Sequence, residues 1–252
     1  MMKAFLSILI FTFIVSGTSY GAHPLVTDDA GTQGKGKFQF ELDGEHSRNN
    51  EDGVKGNTTQ ITPVLTYGIV DNIDIVLGIP YQHRRTKDAD NRFSENGFSD
   101  ASLDLKWRFY EKDGWGLALK PGITLPTGDE DNGLGTGRVT YRIFFITTKE
   151  LKPWAFHANL GYMRNENSAH ERKNLWHASL AAEVEVMKDL RVVANIGIQR
   201  NPDMDDTMHP AFILGGLIYS LTDHLDLDVG IKGGLNRAED DITYLAGLTF
   251  KF

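Results

Sequence analysis

The sequence predicts an all-β fold: a transmembrane antiparallel up-and-down β-barrel of about 12 strands. Three observations predict it. Apolar and polar residues alternate with period two in one segment after another. The connections alternate between short turns and long polar loops. Past the first residues, no stretch has the ~20 successive apolar residues that a membrane helix needs. The final segment is the clearest case: Ile242, Tyr244, Ala246, Leu248, Phe250 and Phe252 alternate with Thr243, Gly247, Thr249 and Lys251. A strand with one apolar face, one polar face and an aromatic end suits a wall between lipid and water.

The earlier segments follow the same rule. Phe38, Phe40 and Leu42 face away from Gln39, Glu41 and Asp43. Ile61, Leu65, Tyr67 and Ile69 form the next apolar row, and Ile73, Ile75, Leu77, Ile79 and Tyr81 a third. Ala101, Leu103, Leu105, Trp107 and Phe109 alternate with Asp100, Ser102, Asp104, Lys106 and Arg108. Trp115, Leu117, Leu119 and Ile123 come next, then Val139, Tyr141, Ile143 and Phe145 against Arg138, Thr140 and Arg142. In the second half, Trp154, Phe156, Leu160 and Tyr162 oppose His157, Asn159 and Gly161. Trp176, Leu180, Val184 and Val186 oppose His177, Ser179, Glu183 and Glu185, and Val192, Ile196 and Ile198 oppose Arg191, Asn195 and Gln199. Residues 211–219 are apolar on both faces, which leaves their register open. Leu225, Leu227, Val229 and Ile231 oppose Asp226, Asp228, Gly230 and Lys232. Pro63 and Pro121 fall inside predicted strands although a closed barrel has no edge for them, so they mark bulges or displaced boundaries.

Short connections are expected near residues 70–72, 111–114, 149–152, 187–189 and 222–224. Long ones are expected near 47–57, 84–98, 126–137, 164–174, 200–209 and 233–240. With both termini periplasmic, the turns face the periplasm and the loops face outside. Tyr67, Trp107, Phe109, Trp115, Trp154 and Phe252 then gather at the periplasmic ends, and Tyr81, Tyr162 and Trp176 at the outer ends, as two aromatic belts. The turns at Asp71 and Asp223 are near copies, which shared hairpin chemistry accounts for.

Residues 1–22 have the form of a secretory signal. Lys3 precedes an apolar run from Ala4 to Val15, and small residues favour cleavage after Gly21 or Ala22. The expected product is a protein of the cell outer membrane, with residues 23–36 as a polar, Gly-rich N-terminal segment and residues 37–252 as the barrel. Loss of Lys3 takes the formal charge from −8 to −9, so there is no electrostatic case for nucleic acid as a partner. Absence of cysteine excludes a disulfide scaffold and thiolate metal sites.

In a barrel the inward face carries the specificity. The candidate pore-lining residues are Asp100, Asp104, Lys106, Arg108, Lys120, Arg142, His157, Glu183, Arg191 and Asp226. Glu41, Asp43, Asp74, Glu185, Asp228, Arg138 and Lys232 share the same predicted face. Acidic and basic residues are mixed, so these charges either pair across strands or meet a permeant. No catalytic residue, metal ligand set or cofactor site is predicted. His177 and Ser179 share a face, but a separation of about 7 Å at Cβ sets them apart for a hydrogen bond. Gly128–Gly133 lacks the ligand spacing of a calcium loop. The glycines at 133, 135 and 137 precede a strand, not the helix that a phosphate loop opens.

Several segments resemble a known family. They are His23–Gly36, with its Pro24-Leu25-Val26-Thr27-Asp28-Asp29 core, Leu125-Pro126-Thr127-Gly128-Asp129, Tyr67-Gly68-Ile69 with Asp71, Gly97-Phe98-Ser99-Asp100, and Lys106-Trp107-Arg108-Phe109. Together they resemble the outer-membrane transporters grouped under the meta-pathway of phenol degradation, over nearly the whole chain after the signal. The resemblance implies a barrel and transport of aromatic or other hydrophobic compounds. The expected function is passive passage of small molecules, and the expected partners are outer-membrane lipid, a small-molecule permeant and the barrel-assembly machinery, which would read Phe252. The alternatives are a closed structural or adhesive barrel acting through its loops and, in a third class, a barrel hydrolase. Asp28 and Asp29 can meet Lys and Arg side chains of the lumen, which makes residues 23–36 a candidate plug.

Overall fold

The computed structural model describes residues 23–51, 54–87 and 91–252; the expected signal segment lies outside the described residues. The strands are β1 (Phe38–Glu51), β2 (Val54–Val70), β3 (Ile73–Gly78), β4 (Tyr81–Lys87), β5 (Arg92–Phe98), β6 (Ala101–Lys112) and β7 (Trp115–Leu125), followed by β8 (Thr140–Leu151), β9 (Trp154–Arg164), β10 (Asn174–Met187), β11 (Leu190–Gln199), β12 (Ala211–Thr222), β13 (Leu225–Gly234) and β14 (Ile242–Lys251). Each pairs antiparallel with its neighbours. β1 pairs with β2 on one side (Phe40 opposite Leu65) and with β14 on the other (Phe40 opposite Phe250), which closes the sheet. β3 and β4 are one crossing interrupted at Ile79 and Pro80, and β5 and β6 are another interrupted at Ser99 and Asp100. The 14 segments therefore make a closed barrel of 12 crossings.

Alternation in sequence becomes alternation in space. On β8, Tyr141, Ile143 and Phe145 are exposed on the outer face, while Arg142, Phe144 and Ile146 are buried inside. β12, whose register was open, turns Ile213, Leu217 and Tyr219 outward and Phe212, Leu214 and Ile218 inward. Its inward face is apolar because it packs against Leu25 of the N-terminal segment.

The prolines need no bulge. Pro63 lies on β2 opposite the break between β3 and β4, so its missing N–H falls where the neighbouring strand is itself interrupted. Pro121 lies where the β6–β7 ladder has a gap, between the pairs Asp104–Gly122 and Trp107–Leu119. The bulges come elsewhere, as at Gly68/Val70 and Ser220/Thr222, just before the two similar turns. Shared hairpin geometry thus extends to the bulge.

Two expected loops are shorter than the sequence suggests. β1 and β2 continue to Glu51 and Val54, and β4 and β5 to Lys87 and Arg92. These extensions pair polar residues, such as Arg84 with Glu95. Beyond the hydrocarbon layer no face must be apolar, so the hydropathy signal fades while the ladder continues.

At the turn end, Phe38 packs on Tyr67 with ring centroids 4.5 Å apart and on Phe252 at 6.2 Å. Reciprocal backbone bonds join Phe38 to Phe252 at 2.7 and 2.9 Å, so the aromatic contact sits on the closing seam. Val229 lies on the outer face near mid-wall, at 54% exposure. Val229→Arg is expected to cost about 2–4 kcal/mol in denaturant titrations of vesicle-refolded protein. A loss within error would remove Val229 from the lipid face.

Candidate transport site in the barrel lumen

Many of the inward charges are paired across strands. Asp104 and Arg142 form a two-pronged bond at 2.6 and 2.8 Å. Arg191 reaches Glu183 at 3.0 Å and Asp226 at 3.4 Å, and Lys251 joins Asp226 at 2.7 Å. His157 pairs through Nδ1 with the Thr148 hydroxyl at 2.9 Å, and its Nε2 lies 3.6 Å from Glu183. Arg108 sits at the turn end, 3.1 Å from Glu111. Asp100 is occupied by the β7–β8 loop: it accepts the N–H groups of Gly128 and Thr136 and the Thr136 hydroxyl. Asp74 and Lys232 are buried inside as expected, whereas Arg138 precedes β8 and Glu185 lies near the turn end, and both are exposed. Alternation places a residue on a face, but only within the span of the wall.

Lys106 and Lys120, on adjacent strands β6 and β7, share one carboxylate. Asp28 accepts from Lys106 at 2.9 Å and from Lys120 at 2.8 Å, and all three residues are buried. Asp28 belongs to the N-terminal segment, which runs through the turn-side half of the lumen. From the rim, Lys35 and Gln33 donate backbone N–H groups to Asp71 and Asp74. Ala30 N–H then donates to the Thr148 hydroxyl. Beyond Asp28, the N–H groups of Thr27 and Val26 both donate to Asn195 Oδ1, and the Thr27 hydroxyl donates to Ser179. Leu25 joins a buried cluster with Val193, Phe212, Leu214, Ile218 and Leu245. Next, His23 Nδ1 pairs with Asp228 at 2.5 Å. The segment thus winds round the lumen, from the β2–β3 turn past β6, β7, β8, β10 and β11 to β12 and β13.

Small wall residues make room for it. Gly216 and Gly230 face each other across β12 and β13, and a Cβ built on either would lie 2.7 or 2.9 Å from the Pro24 ring. A Cβ on Gly116 would meet Ala30 at 3.0 Å. Burial disfavours a charged His23 imidazole. The Asp228 hydrogen bond and the nearby Asp43 and Glu45 carboxylates outweigh that penalty and raise its pKa from 6.5 to about 9.

A further expectation is overturned. His177 Nε2 and Ser179 Oγ are 2.9 Å apart, because the imidazole reaches along the strand farther than the Cβ spacing implies. Ser179 is only 4% exposed and also accepts the Thr27 hydroxyl proton. Sequence reasoning missed Asn195 as an anchor and the seats at Gly116 and Gly216. The available signal was a run of small and amide residues at inward positions, where large charged ones were sought.

At the loop end, neighbouring loops are tied together. Arg172 donates to the backbone carbonyls of Asn201, Asp203, Met204 and Asp206 in the β11–β12 loop. Arg237 reaches both Asp206 and Glu51, and Ser168 meets Thr136 and Glu130.

A closed wall of 12 crossings, apolar outside and charged inside, defines an outer-membrane-type β-barrel. The chain belongs to the family described as "Putative MetA-pathway of phenol degradation", whose family model matches residues 22–252. Among solved structures it is similar to an outer membrane channel from Pseudomonas putida F1, at 16% identity and a TM-score of 0.69, covering 89% of this chain and 98% of that one. It is also similar to the NanC porin, at 9% identity and a TM-score of 0.54, covering 84% and 100%. The translocator domain of the autotransporter NalP from Neisseria meningitidis gives 11% identity and a TM-score of 0.55, covering 87% and 89%. Comparison with curated protein sequences gives no match.

Asp28→Ala removes the carboxylate that two buried ammonium groups share, an expected loss of about 3–5 kcal/mol of docking energy for the segment. Limited proteolysis should then cut within residues 23–35 of the folded barrel, and continued resistance would show that the ion pairs do not hold it. The His23 contribution is complete below about pH 6.5 and is lost as pH rises through about 9. Proteolytic access should therefore increase between pH 7 and 10 in the natural protein, and His23→Gln should remove that step.

Proposed function

We propose that this protein is an outer-membrane channel that passes small, aromatic or otherwise hydrophobic molecules passively, with residues 23–36 acting as a plug in its periplasmic half. The observation that carries this is the lumen itself: an interior rich in charge whose turn-side half is crossed by a separate, side-chain-anchored segment. Side chains alone can fill a barrel of about eight strands, whereas twelve crossings enclose a wider bore with room for both an insert and a path for small solutes. The family description supports aromatic compounds as the class of permeant. An apolar recess supports it too. The recess lies in the loop-side half and is lined on the inner face by Phe144, Met163, Leu175 and His177.

The ligated outer loops favour a second reading, in which a closed barrel works through its extracellular surface. Liposome swelling with a panel of aromatic and sugar solutes separates the two. The channel reading expects flux, with aromatic solutes ahead of sugars of similar size; the closed barrel gives none. Deleting residues 23–34 should raise single-channel conductance. An unchanged conductance would sink the plug, and an absence of flux in both forms would sink the channel.

A further inference from the structure

The far end of the N-terminal segment sits in an acidic corner that His23 alone does not fill. Asp43 on β1 and Asp228 on β13 both pair in register with Gly247 of β14, so they flank the same side-chain-free position. His23 occupies it: a Cβ on Gly247 would lie 2.6 Å from His23 Nδ1 and 2.7 Å from Asp228 Oδ2. Glu45, two residues beyond Asp43 on the same face of β1, adds a third carboxylate to this side of the lumen. Asp43 and Asp228 are 8% and 4% exposed, yet Asp43 Oδ1 and Asp228 Oδ2 are buried without a hydrogen-bond partner. Among the described residues, neither forms an ion pair with Lys or Arg. Buried carboxylate oxygens left so are costly, which points to a cationic donor that completes them.

The chain itself can supply that cation. The small residues Ser19, Gly21 and Ala22 lie immediately before His23, and cleavage after Gly21 or Ala22 creates a free α-amine at or next to His23. We infer that the corner formed by Asp43, Glu45 and Asp228 is the receptor for the α-ammonium group released by signal cleavage, so that the segment locks into the lumen only in the processed chain. The cleaved amide bond yields one carboxylate on the leaving peptide and one amine on the barrel chain, with water as the co-reactant. The amine takes up a proton at neutral pH and offers three N–H donors to oxygens that otherwise have none. The Pro24 ring, seated on Gly216 and Gly230, fixes the approach of the chain to the corner. This inference rests on the plug reading and adds the event that sets the plug.

Mature protein purified from outer membranes tests it. Intact mass should place the first residue at Ala22 or His23. An acylating reagent applied to the folded barrel should modify the α-amine at least tenfold more slowly than in denatured protein. Asp43→Asn, or insertion of two alanines between Ala22 and His23, should abolish that protection and raise conductance toward that of the 23–34 deletion. The insertion leaves the wall untouched, and heat-modifiable gel mobility shows that each variant is folded. The two changes together should have no more effect than either alone. A first residue elsewhere, an α-amine as reactive as in the denatured chain, or additive effects would overturn the lock. If the deletion opens the pore but the insertion does not, the plug stands and the lock falls.

Discussion

Closure of the hydrogen-bonded ring is the constraint on which everything else depends. In lipid no water is present to satisfy backbone N–H and C=O groups, so a sheet can cross only when it has no edge. The pairing of β1 with both β2 and β14 meets that demand. It also dictates side-chain chemistry, because every second residue must face lipid and every other one must face a narrow interior. The prolines obey the same constraint, since each lies where a neighbour offers no ladder bond to lose.

An interior of this width cannot hold unpaired charge cheaply, and the pairing pattern follows from that. Asp104 and Arg142 settle their charges within the wall. Lys106 and Lys120 instead share a carboxylate that arrives from outside the barrel proper. The N-terminal segment is therefore a structural component of the lumen. Its polar contacts are made by its own backbone and by short side chains such as His23, Thr27 and Asp28, and its apolar anchor Leu25 explains why a single strand, β12, is apolar on both faces.

Much of the wall was legible in the sequence because lipid writes a period-two signal that few other environments impose. The crossings, the turn positions and the inward placement of Asp104, Lys106, Lys120, Arg142 and His157 all follow from it. The polar hairpin extensions beyond the bilayer were not legible, since hydrogen bonding there continues without an apolar face. Arg138 and Glu185 were misplaced for the related reason that alternation carries no information past the end of the wall. The seats at Gly116, Gly216 and Gly230 were invisible as such, because a missing side chain is a signal only when the group that fills its place is known. The His177–Ser179 bond was misjudged because Cβ spacing ignores the reach of an imidazole ring.

The sharing of Asp28 by two lysines has an electrical consequence. β6 and β7 lie across the barrel from β12 and β13, with β14 and β1 farther round toward β2. Withdrawal of the segment would take Asp28 from the lysines and His23 from Asp228, leaving lysines on one side facing Asp228 on β13, with Asp43 beside it on β1. The vacated bore would then carry a transverse field, strongest at its own narrow height, that orients dipolar solutes as they pass. Release of the segment would thus change the kind of molecule the opening favours, and not only the width of the opening.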